Sequence, residues 1–299
     1  MTMSQQERHM DVSNTVDIGD PREVLAALRS ILDARYPGFD FSPVDTLMAD
    51  FCRLYRGDFP QYRACETTYH NMAHVLDVSL AMARLIDGYD GSCAVEDAVG
   101  PELALCGIAA ALFHDAGYIR RRDDNSCSNG AAYTRIHVSR SVEFMSEYFP
   151  TVGLQAILPV CSRIVHFTGY EQDPASVDVQ STAEYTLGSL LGSADLIAQM
   201  ADSEYLDKCR DDLYGEFVLA GIAGEGDLEG YKGIVYRSPQ QLLESTPDFI
   251  HTVIEERLEG YFNGIHRYVA QCFNGSNLYM DAIDRNRKKL ELLLASAND

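Results

Sequence analysis

No stretch of this 299-residue chain approaches the roughly 18–20 consecutive apolar residues that a membrane-spanning helix needs. The opening twenty residues, MTMSQQERHMDVSNTVDIGD, lack the apolar stretch of a secretory signal and read as a flexible tail. Positive charge is scarce: 24 Lys and Arg stand against 45 Asp and Glu, a net −21. Such a surface repels a polyphosphate backbone and disfavours a nucleic-acid polymer as partner. A small phosphorylated ligand stays open, because bound metal ions can outweigh the local field. The eight cysteines include no C-x-x-C pair, and Cys52, Cys106 and Cys161 sit in apolar stretches where a free thiol behaves as a small hydrophobe. No disulfide framework is expected, and the location expected is cytoplasmic. Period-2 strand patterns are nearly absent, as are internal repeats.

What is present is helical. Asp20-Pro21 and Ser42-Pro43 each pair an N-cap residue with proline at the first helical position. Val24, Leu25, Leu28, Ile31 and Leu32 then recur at helical spacing. Further helices are expected over 70–87, 102–116, 137–149, 154–167 (kinked or delayed by Pro159), 182–201, 203–220, 240–273 and 277–295. The 240–273 helix should break near Pro247. Segments 88–100, 120–132 and 223–233 read as loops. The expectation is an all-α protein with one domain over 21–299, its core at about 65–201 and a C-terminal helical extension at about 203–299.

Histidine usage carries the chemistry. His70 and His74 stand four apart, which on one helix places them on one face. The apolar run ALCGIAAALF ends in His114-Asp115, where a buried imidazole and carboxylate are costly unless paired or ligated. His137 opens an amphipathic helix, His166 follows the apolar CSRIV, and Asp195 interrupts SLLGSADLIAQM. One such histidine is ordinarily a hydrogen-bonded core residue. The whole set, on separate helices, matches the way bundle proteins build metal sites. The mixed imidazole and carboxylate donors suit Fe, Mn, Zn, Co or Ni, with Mg²⁺ an option at one of two sites.

The order His74, His114-Asp115, Asp195 resembles the HD superfamily of metal-dependent phosphohydrolases, whose fold is a helical bundle. His137 and His166 extend the likeness to binuclear members, the HD-GYP phosphodiesterases and the HD-type di-iron oxygenases. The box Tyr69-His70-Asn71-x-x-His74-x-x-Asp77-Val78 resembles class I cyclic-nucleotide phosphodiesterases. The likeness spans about residues 69–200. It departs after the HD pair, where HDAGYIRRR carries no further histidine, and at His166, which is followed by Phe-Thr-Gly-Tyr rather than a GYP tripeptide.

The resemblance implies two divalent transition-metal ions. His74, His114, Asp115 and Asp195 would hold one, and Asp115, His137 and His166 the other, with Asp115 bridging. It implies hydrolysis of a small phosphate ester, most simply a phosphodiester such as a cyclic nucleotide, by a metal-bridging hydroxide. His70 would be the general acid, a role worth 10²–10⁴-fold. Two alternatives use the same residues: a mixed-valence di-iron oxygenase, and a regulatory HD module without activity.

Around this set, Asp77 either supports the His74 ring or is a solvated acid. Arg163 either forks onto a phosphate or pairs on the surface. Arg120, with Arg121 and Arg122, forms either a phosphate-steering rim or a solvated loop, and Lys208 is a weaker substrate contact. Tyr118, Tyr133 and Tyr170 either stack on a base or pack in the core. The C-terminal helices read as scaffold or as a homodimer surface. The partner expected is a small phosphorylated molecule or nucleotide, with no membrane.

Overall fold

In the computed structural model, which describes residues 9–224 and 236–296, the chain is all-α. Isolated bridges such as Met10 to Asp17 are the strand-like contacts among the described residues. None of the described helices is long and apolar enough to cross a membrane.

Helix α1 (Pro21–Arg35) begins where the Asp20 carboxylate accepts the Arg22 N–H, and buries Val24, Leu28 and Leu32 along one stripe. Helix α2 (Ser42–Arg56) ends on Gly57, whose positive φ supplies the left-handed turn. Three helices form the centre. In α3 (Met72–Asp90), α4 (Gly100–Phe113) and α7 (Thr182–Ala201) most residues are buried, so each is apolar nearly all round. α3 packs against both α4 and α7. Smaller helices α5 (His137–Tyr148) and α6 (Leu158–Ile164) close one side. The C-terminal part comprises α8 (Tyr205–Lys208), a π-helical segment Cys209–Leu213, α9 (Tyr214–Leu219), α10 (Pro239–Thr252), a wide-turn segment Val253–Tyr261, a 3-10 segment Ile265–Phe273 and α11 (Leu278–Ser296).

Three expectations change and one holds. The tail reading fails for residues 9–20, while 1–8 lie outside the described residues. Asp11 is buried: its carboxylate accepts the Thr15 and Val16 N–H groups and the Arg84 guanidinium at 2.6 Å. Arg84 also donates to the Tyr279 hydroxyl, so this short turn ties α3 to α11. Pro247 does not break its helix. The Ser245 and Thr246 hydroxyls bond back to the Gln241 and Leu242 carbonyls and hold the turn that proline weakens. Pro159 delays its helix as expected: it sits in the first turn of α6, which starts at Leu158. Finally, α3 starts at Met72, after an Asn71 cap that accepts the His74 N–H. His70 therefore stands before the helix instead of on its face. The expected loop at 223–233 lies almost wholly outside the described residues.

Candidate metal centre

The donors meet because apolar helices carry them inward. His74 lies in the first turn of α3, His114 and Asp115 just after α4, and Asp195 in the middle of α7. Ligand atoms of His74, His114 and Asp115 all lie within 4.8 Å of one another. Asp115 Oδ2 is 3.4 Å from both His74 Nε2 and His114 Nε2. Asp195 Oδ1 faces the same two nitrogens at 3.5 and 3.8 Å. The other oxygen of Asp115, Oδ1, is 3.6 Å from His137 Nε2. One carboxylate thus divides its two oxygens between two sets of imidazoles.

The backbone fixes which nitrogen faces inward. His114 Nδ1 bonds the Ala111 carbonyl at 2.8 Å and His137 Nδ1 the Thr134 carbonyl at 2.7 Å. Because a carbonyl only accepts, each Nδ1 carries a proton, and in the neutral ring it is Nε2 that presents the lone pair to the cluster. His114 Nε2 and Asp115 Oδ2 are buried with no hydrogen-bond partner. Leaving such atoms unsatisfied costs roughly 1–3 kcal/mol each, and a cation between them would satisfy both. The donor set present therefore fits a transition-metal ion.

The carboxylates draw positive charge in any case. Burial opposes a charged His74, but Asp115 and Asp195 outweigh it and push its pKa up to about 10. Burial likewise works against ionised Asp115, yet His114, His74 and His70 hold it well below the usual carboxylate range. For His137 burial prevails over Asp115 and lowers the pKa.

His137 reaches this cluster through a tight packing of α5 on the turn after Asp115. The Ser141 hydroxyl donates to the His114 carbonyl and accepts the Gly117 N–H, and Arg140 Nε donates to the Gly117 carbonyl. A Cβ on Gly117 would lie 1.9 Å from the His137 carbonyl oxygen, so only glycine allows this approach. Glu171 holds the start of the same helix by accepting the Val138 N–H at 2.6 Å.

His70, although outside the helix, is still beside the cluster, its ring 5.8 Å from that of His74. Its Nδ1 is 2.6 Å from the Glu216 carboxylate, which also accepts the Tyr69 N–H. Burial disfavours a charged His70, but Glu216 wins and the pKa is raised. The Tyr118 ring is stacked between His70 and His137, at 4.5 and 4.6 Å. Sequence reasoning missed Glu216 altogether. It stands among the acidic residues of DDLYGEF, and nothing local marks it as the buried one.

Several expectations are corrected. His166 forms no ion pair with Asp115 among the described residues. Burial lowers its pKa, Glu171 is the charge acting against that, and its Nδ1 is buried without a partner. Five of the six expected ligands face one another at 3.4–3.8 Å. His166 makes no such pair among the described residues, and its buried, unpartnered Nδ1 is the feature that His114 Nε2 also shows. None of the expected substrate cations lines the cavity beside the cluster. Arg163 is held by Glu184 at 2.5 Å, Arg120 by Glu66 at 2.6 Å and Lys208 by Asp202 at 2.5 Å. Asp77 makes no hydrogen bond to the His74 ring among the described residues. Its Oδ1 is buried without a partner, and burial, with Asp202 adding, pushes its pKa up to about 7. Tyr133 packs under the Arg140 guanidinium; Tyr170 lies against that of Arg257 and, with Tyr118, lines the cavity beside the cluster.

The cavity measures about 360 Å³. Its lining includes His70, His74, Asp115, His137 and Asp195, then Tyr118, Arg135, Tyr170 and Glu171, and a third group contributed by the segment from α8 to α10. Residues 122–280 match the family model described as Npun_R2479-like, just over half of the chain. That span holds His137, His166, Asp195 and Glu216, whereas His70, His74 and the His114-Asp115 pair precede it. No curated protein and no solved structure matches the chain.

Proposed function

We propose that this chain, which belongs to the Npun_R2479-like family, is a metal-dependent hydrolase of the HD type acting on a small phosphate ester. His74, His114, Asp115 and Asp195 would hold one ion, and His137 with the second oxygen of Asp115 would offer part of a neighbouring site. The metal supplies Lewis acidity toward a phosphoryl oxygen and a nucleophilic water at neutral pH.

The observation that carries the reading is the His70–Glu216 pair beside the donors. Hydrolysis joins a water oxygen to phosphorus and breaks the bond to the alkoxide, so the departing oxygen needs a proton. His70 shares Nδ1 with Glu216, which leaves Nε2 as the nitrogen the cavity can use. Glu216 favours the protonated ring and fixes its orientation, as a general acid requires. The proton lost by the attacking water restores the imidazolium between turnovers. Oxygenation has no evident need of a proton donor at this place, so the pair favours hydrolysis over the oxidative alternative.

The test is turnover of a generic phosphodiester by Mn²⁺-loaded protein. His114→Ala should abolish it, and His70→Ala should slow it by about 10²–10⁴-fold with metal content unchanged. A mixed-valence di-iron signal in electron paramagnetic resonance, with O₂ uptake and no ester cleavage, would overturn the proposal.

A further inference from the structure

We infer that the part of the substrate reaching away from the metal donors is apolar, an alkyl or aryl group rather than a nucleoside. The identity of the head group rests on the hydrolytic reading above; the preference for an apolar body rests on the wall of the cavity that the C-terminal part of the chain supplies.

That wall is formed by the lining residues from Tyr205 to Phe249, and among the described ones none carries a charge. Leu213, Phe217, Ile222, Leu242 and Phe249 supply its surface. Its polar side-chain atoms are few: the hydroxyls of Tyr205, Tyr236 and Thr246 and the Cys209 thiol. The Thr246 hydroxyl bonds the Leu242 carbonyl, and Tyr205 and Cys209 hydrogen-bond each other. Tyr236 stacks on Phe217 at an interplanar angle of 10°. Deeper in, Gln199 accepts from the Tyr69 hydroxyl and donates to the Asp195 carbonyl, and the Thr168 hydroxyl bonds the Val165 carbonyl.

A nucleobase brings several donors and acceptors on its edge. Each one desolvated against this wall without a partner would weaken binding by at least about fivefold. A hydrocarbon body meets no such loss, and each methylene it buries strengthens binding by about fourfold. The charge balance points the same way. The expected arginines and lysine are committed elsewhere, and the charged side chains that line the cavity, Arg135 and Glu171 with the metal donors, all precede Tyr205 in the chain, so affinity from the Tyr205–Phe249 lining comes from apolar contact.

The experiment is calorimetric titration of the full chain, loaded with Mn²⁺, with n-alkylphosphonates from methyl to pentyl, alongside 3′,5′-cyclic nucleotides. Binding should tighten about fourfold per methylene, roughly two hundredfold over the series. Cyclic nucleotides should bind more weakly than pentylphosphonate. Phe217→Ser should flatten the series, with circular dichroism checking that the variant folds. The wild-type series decides the matter even if it does not. A flat series, no binding up to pentyl, or cyclic nucleotides binding tighter than pentylphosphonate would overturn the inference. A steep series in a protein that cleaves no phosphate ester would remove the hydrolytic reading and leave the apolar wall standing. A flat series with cyclic-nucleotide turnover would do the reverse.

Discussion

The two walls of the cavity are held by different forces. On the donor wall, main-chain carbonyls orient His114 and His137, Asn71 caps the turn carrying His74, and Ser141 pins α5 to the turn after Asp115. Hydrogen bonds fix directions there, and a metal site depends on direction. The wall from α8 to α10 is packed by aliphatic and aromatic side chains, which fix shape and leave direction free. Glu216 is the point where the second wall reaches across to the first, bonding both Tyr69 and His70. The difference separates two tasks. On the proposed reading, reactivity belongs to the directional wall and selectivity to the apolar one.

Breaking the link between the walls should have the largest effect. Glu216→Gln keeps the size of the side chain and removes its charge. It should lower kcat by about 10²-fold with metal content unchanged. Combined with His70→Ala it should cost little more than either change alone, because both act on one proton. Steady-state kinetics with metal analysis on the four proteins reads this directly. Additive losses would mean that Glu216 serves structure alone.

A smaller effect should follow from loosening the directional wall itself. Gly117→Ala places a methyl group against the His137 carbonyl, so α5 must move. Urea unfolding should show a loss of about 1–3 kcal/mol. Metal bound through His137 should weaken while the His74–His114–Asp115–Asp195 set keeps its ion. A stable variant with two ions at wild-type affinity would show that the close approach is unimportant.

The smallest effect is expected at the arginine that sequence reasoning placed near the substrate. Arg163→Ala should leave KM within about twofold, because its guanidinium is spent on Glu184. The change in stability should stay near 1 kcal/mol or below, as for partly exposed ion pairs. A tenfold rise in KM would return Arg163 to the site.

The same contrast explains what the sequence made legible. Polar residues stranded in apolar helices announce themselves, and so His74, His114, Asp115 and Asp195 were readable one by one. The all-α architecture followed from 3.6-residue periodicity, with cap residues such as Asp20 and proline at the first turn marking helix starts. Pairings between distant segments left no local trace. Glu184 lies 21 residues from Arg163, and Glu66 lies 54 from Arg120, so the partner that engages each arginine could not be named. Glu216 meets His70 across 146 residues and sits among other acids. The four-residue spacing of His70 and His74 suggested a shared helix face, but the Asn71 cap produces the same proximity by a different route. For His166 the apolar flank announced a buried ring, and its Nδ1 is indeed buried without a partner.

The central claim is that imidazoles and carboxylates from separate helices share a cation. Metal content after equilibrium dialysis against Mn²⁺ or Zn²⁺, comparing wild type with Asp115→Asn, tests it most directly. At least one ion per chain should stay with the wild type, and the variant should retain none, because Asp115 is the residue all three imidazoles face. Equal metal content in the two proteins, or none in either, would contradict the account.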